Sequence, residues 1–125
     1  MQSSFRLATI NDADFVYNLR NSPDVRNISW NTEYIHYTDH LKFFKEHYKE
    51  YRIIVSQEQM VGFIRVNNGN ISIVLDREHR NMGIGSMVLK YFIGRAEIKL
   101  GNPMSLYAFI NAGFKITGWV VQKEK

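Results

Sequence analysis

Cysteine is absent from the 125 residues, which removes a disulfide framework, a thiol nucleophile and a cysteine-ligated zinc site together. No apolar run approaches the roughly 20 residues that a membrane-crossing helix needs. The opening stretch, MQSSFRLATINDADF, has no basic segment followed by an apolar core, so no secretory leader is expected. Dense basic tracts are also missing. The net charge of +4 is spread along the chain, which favours an anionic ligand without pointing to nucleic acid. The four histidines and scattered carboxylates show no His-Glu-x-x-His spacing, so no metal is implied. These absences lead to the expectation of a soluble cytoplasmic protein that needs neither membrane nor nucleic acid.

What remains is enough for one core, and residues 1–125 are read as a single domain. Phe5 to Thr9 alternates like a half-buried strand, and Asn11 or Asp12 can cap a helix running to about Arg20. Pro23 stops it, and Val25 to Tyr37 reads as irregular. Thr38 can cap a second helix to about Tyr48, with Leu41, Phe44 and Tyr48 along one stripe. Strands follow at Tyr51–Ser56, Met60–Val66 and Ile71–Leu75. They are joined by short turns, one of them the hairpin pair Asn68-Gly69. Ser86 to Ile93 is an almost wholly apolar helix, and Arg95 to Leu100 is a strand. Asn102 caps a last helix that has Pro103 at its first position and Gly113 as its stop, before a final strand from Phe114 to Val121. The fold class expected is α/β, a mixed and mostly antiparallel sheet with a parallel pair and helices on its faces.

Between a strand and a helix lies DREHRNMGIGS, Asp76 to Ser86. A helix start leaves amide N–H groups unpaired and partly positive, and glycines at 83 and 85 clear side chains from above them. Ser86 adds a hydroxyl and Arg80 a charge, which makes a phosphate or pyrophosphate site. A dinucleotide fingerprint would need glycine where Val88 stands, and the Gly-Lys-Ser/Thr of nucleotide triphosphatases is absent. A glycine-rich turn without a ligand is the alternative reading.

Arg80-x-x-Gly83-x-Gly85 after an antiparallel strand resembles the acetyl-coenzyme A signature of the GNAT superfamily of N-acyltransferases. Asn102-Pro-Met-Ser105, then Phe109, then Gly113-Phe114 is similar to that family's late segment. The resemblance spans nearly the whole chain. It implies that a coenzyme A pyrophosphate rests on Arg80, Asn81, Met82, Gly83, Ile84, Gly85 and Ser86. The pantetheine arm would pair with the backbone of Ile73, Val74 and Leu75, near Asn102 and Ser105. A backbone N–H near Leu75 would polarise the thioester carbonyl.

The implied reaction is direct attack of an amine on acetyl-CoA. Many family members carry a tyrosine acid four residues after the Ala/Ser of the late motif, where this chain has Phe109. Tyr107 lies about 200° away around the helix and reads as packing. His36 and His40 are the candidate proton-relaying residues, with a structural role as the alternative for each. Leu19 to Arg26, Ile35 to Phe44, Gly62 to Arg65, Ile71 to Ile73 and Phe109 resemble a branch that acetylates nucleotide-linked amino sugars. On that reading Asn21, Trp30, Tyr37 and Arg65 contact the acceptor. Acetylation of protein N-termini or small amines, and coenzyme A binding without turnover, remain as alternatives. A homodimer is the expected partner arrangement if the short elements leave strand edges to cover.

Overall fold

The computed structural model describes residues 3–123. Four strands, β1 (Ser3–Leu7), β2 (Tyr51–Ser56), β3 (Gln59–Asn67) and β4 (Asn70–Leu75), form one sheet in chain order, every neighbouring pair antiparallel. Two tight turns set the meander. Gln57 and Glu58, then Asn68 and Gly69, all have positive φ, the conformation whose twist matches antiparallel strands. The β2–β3 register shifts at Ile54/Val55, leaving Val61 as the extra residue, and Val61, Gly62, Phe63 and Ile64 are buried in succession because both sheet faces are covered.

Each sheet face carries its own core. Helices α1 (Ala13–Asn21), α2 (Pro23–Ile28) and α3 (Tyr37–His47) precede β2 in the chain. Val16, Leu19, Val25 and Phe44 of these helices pack with Tyr51, Ile53 and Phe63 on one face. On the other, Ile84, Val88 and Leu89 of α4 (Ile84–Leu89) and Phe109 of α5 (Pro103–Asn111) pack with Ile54, Val61, Ile64 and Ile71. Burying these side chains contributes about 1.5–3 kcal/mol each before entropy is counted.

Several boundaries differ from the sequence reading. Pro23 does not simply stop α1. It occupies the first position of α2, where its missing N–H costs nothing, so Pro23–Ile28 is helical where irregular chain was expected. The cap of α3 is His36, two residues earlier than Thr38, and its side chain makes no capping bond. The apolar helix ends at Leu89 rather than Ile93, because the chain tightens there. Tyr91 and Phe92 donate to carbonyls three residues back, and Phe92 folds against Phe5.

The largest correction concerns the expected strands at 95–100 and 114–121. The parallel pair reduces to a single bridge, Asn70 with Arg95. Gly94 makes that approach feasible, since a Cβ there would lie 2.5 Å from the Gly69 oxygen. Beyond the bridge the segment is tied elsewhere, with the Glu97 carbonyl accepting from Trp30 Nε1 at 3.2 Å. Residues 114–121 have strand-like composition but form no strand, since apart from the Phe114 N–H bond to Phe109 O no described backbone pairs with them.

Candidate functional site

The single bridge leaves an open edge on β4. Ile71 N–H donates to the Arg95 carbonyl at 2.7 Å, so Ile71 faces outward from the sheet, and Ile73 and Leu75 share that direction by alternation. Asp76 N–H points the other way, to Val61 O at 2.8 Å. Arg80 occupies the Leu75 carbonyl with Nε at 3.1 Å and Nη2 at 3.0 Å. Ile73 N–H and C=O and Leu75 N–H therefore remain as outward groups without a backbone partner among the described residues.

Beyond Leu75 the chain makes a 3-10 turn, Arg77–His79, capped by Asp76, whose carboxylate accepts from His79 N and His79 Nδ1. Asn81 and Gly83 both take positive φ. A Cβ added at Gly83 would meet nothing within 4 Å, so the space above the start of α4 is open. The first intrahelical bond runs from Met87 N–H to Gly83 O at 3.0 Å, which leaves the N–H groups of Ile84, Gly85 and Ser86 without helical acceptors.

Gly85 has a different role from Gly83. A Cβ there would contact Ala108 Cβ at 3.4 Å and the Cδ1 atoms of Ile73 and Leu75 at 3.7 Å. It is the point where α4, α5 and β4 converge, and Ser86 Oγ reinforces it by donating to the Ala108 carbonyl at 3.2 Å. Asn102 caps α5 by accepting from Ser105 N at 3.2 Å. Donor-side residues from three elements are thus brought together, and the arrangement fits an extended ligand ending in phosphate.

The acceptor-side expectations need more correction. Arg65 is not available for a phosphate. Its guanidinium bonds Glu50 at 2.8–2.9 Å and lies over the Phe43 ring, on the α3 side of the sheet. Asn21 is also committed, since its amide exchanges two hydrogen bonds with the backbone of Ile35 at 2.7 and 2.9 Å. His40 is 1 % exposed and no substrate can reach it. Its Nε2–H donates to the Ala13 carbonyl at 2.9 Å, while Nδ1 has no partner among the described residues. Burial holds its pKa below the usual imidazole range against the opposing pull of that carbonyl, so it is a neutral core histidine.

His36 is exposed and sits edge-on to Tyr34, 5.5 Å between centroids. Tyr37 donates to Asp14 at 2.6 Å, and that bond raises its pKa. Trp30 has an exposed ring and a tethered indole N–H. Phe109 is buried against Phe114 and offers no proton, and Tyr107 is exposed on the far side of α5.

Sequence reasoning missed two groups. Asp24, in the first turn of α2, contacts Arg80 Nη2 at 2.6 Å. Burial pushes its pKa up, but the bonds from Arg80 and Ser22 outweigh this and hold it below the usual carboxylate range. Arg26 lies over the Tyr34 ring at 5.8 Å and forms no ion pair among the described residues. An acidic residue right after a proline is itself a helix-start signal, and it could have revealed α2.

A family model described as Acetyltransferase (GNAT) family matches residues 13–111. The chain belongs to the GNAT acetyltransferase family. Its fold is similar to AAC(6')-Ib solved with ribostamycin and coenzyme A, at 14% identity and a TM-score of 0.81, covering 96% of this chain and 87% of that one. Spermidine N-acetyltransferase from Vibrio cholerae, solved with CoA and spermine, is similar at 15% identity and a TM-score of 0.78, over 98% and 86% of the two chains. An acetyltransferase of the GNAT family from Bacillus anthracis is similar at 15% identity and 0.79, over 94% and 82%. No curated protein sequence matches. Among the described residues no helix is long and apolar enough to cross a membrane.

Proposed function

We propose that this acetyltransferase moves the acetyl group of acetyl-CoA to a primary amine, and that the amine is borne by a nucleotide-linked sugar. The observation that carries the donor half is the free edge at Ile73 and Leu75, continuous with the open N–H groups below Gly83. When bound, acetyl-CoA supplies an activated thioester. The Leu75 N–H is an outward donor suited to a carbonyl oxygen on which negative charge builds. With Phe109 in the core, no side-chain acid serves the leaving sulfur from that position, so orientation of the amine by the chain supplies much of the rate.

For the acceptor, the unpaired cation of Arg26 and the exposed rings of Trp30 and Tyr34 favour an anionic, ring-bearing amine. The net charge of +4 points the same way and away from polycations such as those in the solved relatives. His36 is exposed and lies beside the Tyr34 ring, and it is assigned to proton removal. The test is thiol release from acetyl-CoA against nucleotide-linked amino sugars, aminoglycosides, polyamines, amino acids and peptide N-termini. Turnover of peptides or polyamines alone overturns the sugar assignment. Saturable acetyl-CoA binding without turnover of any amine supports a non-catalytic module.

Gly83→Ala tests the donor turn. A Cβ there meets open space, so the structural cost is limited to the left-handed backbone, about 1 kcal/mol. The methyl group would nonetheless stand over the helix start, and acetyl-CoA affinity should fall by about tenfold or more in calorimetry. Unchanged affinity would sink the phosphate assignment.

A homodimer is part of the same reading. Ile116, Trp119 (81 % exposed), Val120 and Val121 (90 % exposed) lie on a segment whose last recorded backbone bond is Phe114 N–H to Phe109 O. Covering them in two copies would remove about 1,000 Å² from water, near the lower limit of stable interfaces. Light scattering should then return twice the chain mass.

A further inference from the structure

Arg80 does not present its charge to the glycine turn it opens. The guanidinium instead turns back onto the Leu75 carbonyl and across to Asp24 Oδ2, with the two side chains 25% and 33% exposed. This is an ion pair between the end of β4 and the first turn of α2. At the other end of α2, Lys99 Nζ donates to Ser29 O at 3.3 Å and Trp30 Nε1 to Glu97 O at 3.2 Å. Helix α2 and its exit therefore form a strap. One end is fixed to β4, the other to the segment that diverges from β4 after the Asn70–Arg95 bridge.

The strap crosses between the two backbones that flank the proposed donor slot. It also carries Arg26 and leads into Trp30, the groups assigned to the acceptor. We infer that Asp24 is a positioning residue. By holding Arg80 it sets the strap against the end of β4 and so fixes where the acceptor amine meets the acetyl group. This rests on the acetyltransferase reading for its kinetic consequence, but the brace itself can be read without turnover.

The geometry constrains the alternatives. Arg80 uses Nε and Nη2 on the Leu75 carbonyl and Nη2 on Asp24 Oδ2, so only Nη1 is left to face a pyrophosphate while the pair holds. If Arg80 were the phosphate's partner, losing it would weaken donor binding and losing Asp24 would strengthen it. If Arg80 acts as a brace, both losses should act on the amine.

Asp24→Asn, Asp24→Glu and Arg80→Gln are compared in the full chain. With Asp24→Asn, amide hydrogen exchange over residues 22–30 should quicken about tenfold or more, while β4 and α4 keep their protection. KM for the amine should rise about tenfold, with acetyl-CoA affinity within about threefold of the parent. Asp24→Glu should restore the amine KM to within about threefold. Arg80→Gln should match Asp24→Asn. Equal exchange over 22–30 in Asp24→Asn and parent overturns the brace, whether or not the chain turns over. A loss of acetyl-CoA affinity as large as the loss for the amine also overturns it, as does tighter acetyl-CoA binding in Asp24→Asn. If the parent releases no thiol with any amine, the functional reading fails, and the exchange measurement still decides the brace.

Discussion

Gly62→Ala is expected to destabilise the chain by about 3 kcal/mol or more and to take acetyl-CoA binding down with it. Glycine in the interior of a strand is ordinarily a weak point, and a tolerated alanine would stabilise by about 0.4–1 kcal/mol through the unfolded chain. Here the sign reverses. The Cβ would fall inside the contact distance of the Val74 carbonyl oxygen, 2.8 Å from Leu75 Cδ2 and 3.0 Å from Leu75 Cα. Two of those three atoms are backbone of the neighbouring strand, which cannot rotate away as a side chain tip can. Relief requires β3 and β4 to separate at the Gly62–Leu75 pair, or Leu75 to shift. Leu75 is also where the outward N–H and the carbonyl held by Arg80 are located. Denaturant midpoints measure the first effect and calorimetry with acetyl-CoA the second. Gly101→Ala is the control, since a Cβ there meets nothing and its backbone is not left-handed; it should stay within about 1 kcal/mol of the parent. A Gly62→Ala chain as stable as that control would show that the two strands yield without cost.

The elements legible in the sequence are those whose signals are local. Asn102 with Pro103 marked the start of α5, and Asn68-Gly69 marked the β3–β4 turn, because caps and tight turns are decided within four residues. The glycine turn was legible for the same reason, and its link to the family came from its resemblance to the family signature together with the Asn102–Phe114 segment. A strand is different, because it exists only where a partner backbone is in register. Arg95–Leu100 has the composition of a strand but keeps a single bridge to β4, and its Glu97 carbonyl pairs with the Trp30 indole, 67 positions away. Arg65 looked like a free cation until Glu50 came beside it from the 3-10 turn that follows α3. His40 could not be told from a catalytic histidine without the Ala13 carbonyl supplied by α1. The donor half of the site is built of short-range backbone features, and the acceptor half of long-range side-chain pairings. This is why the local geometry of the first could be anticipated and the side-chain partners of the second could not.

Asp12→Ala should cost about 2–3 kcal/mol, and the loss should depend on pH. The Asp12 carboxylate is buried and accepts three strong bonds: Arg6 Nη1 and Nη2 at 2.9 Å each, and Thr9 N–H at 2.8 Å. With the Thr9 side chain it completes a reciprocal cap that joins the end of β1 to the start of α1. Removing one partner of a fully buried ion pair costs about 3–5 kcal/mol, but Arg6 is nearly half exposed and can be rehydrated, which lowers the figure. The bond from Arg6, helped by Thr9 and opposed by burial, holds the Asp12 pKa below its usual range. The folded state therefore binds fewer protons than the unfolded chain through the acid range, and stability must rise with pH there. The contribution is fully present above the unfolded value of about 3.9 and disappears as pH falls through the lower folded value. Urea midpoints of the parent should accordingly drop in acid more steeply than those of Asp12→Ala, the gap narrowing as pH falls through the lowered folded value. Parallel curves from neutral pH into acid would show that the carboxylate charge contributes nothing and that only the packing of Asp12 is lost.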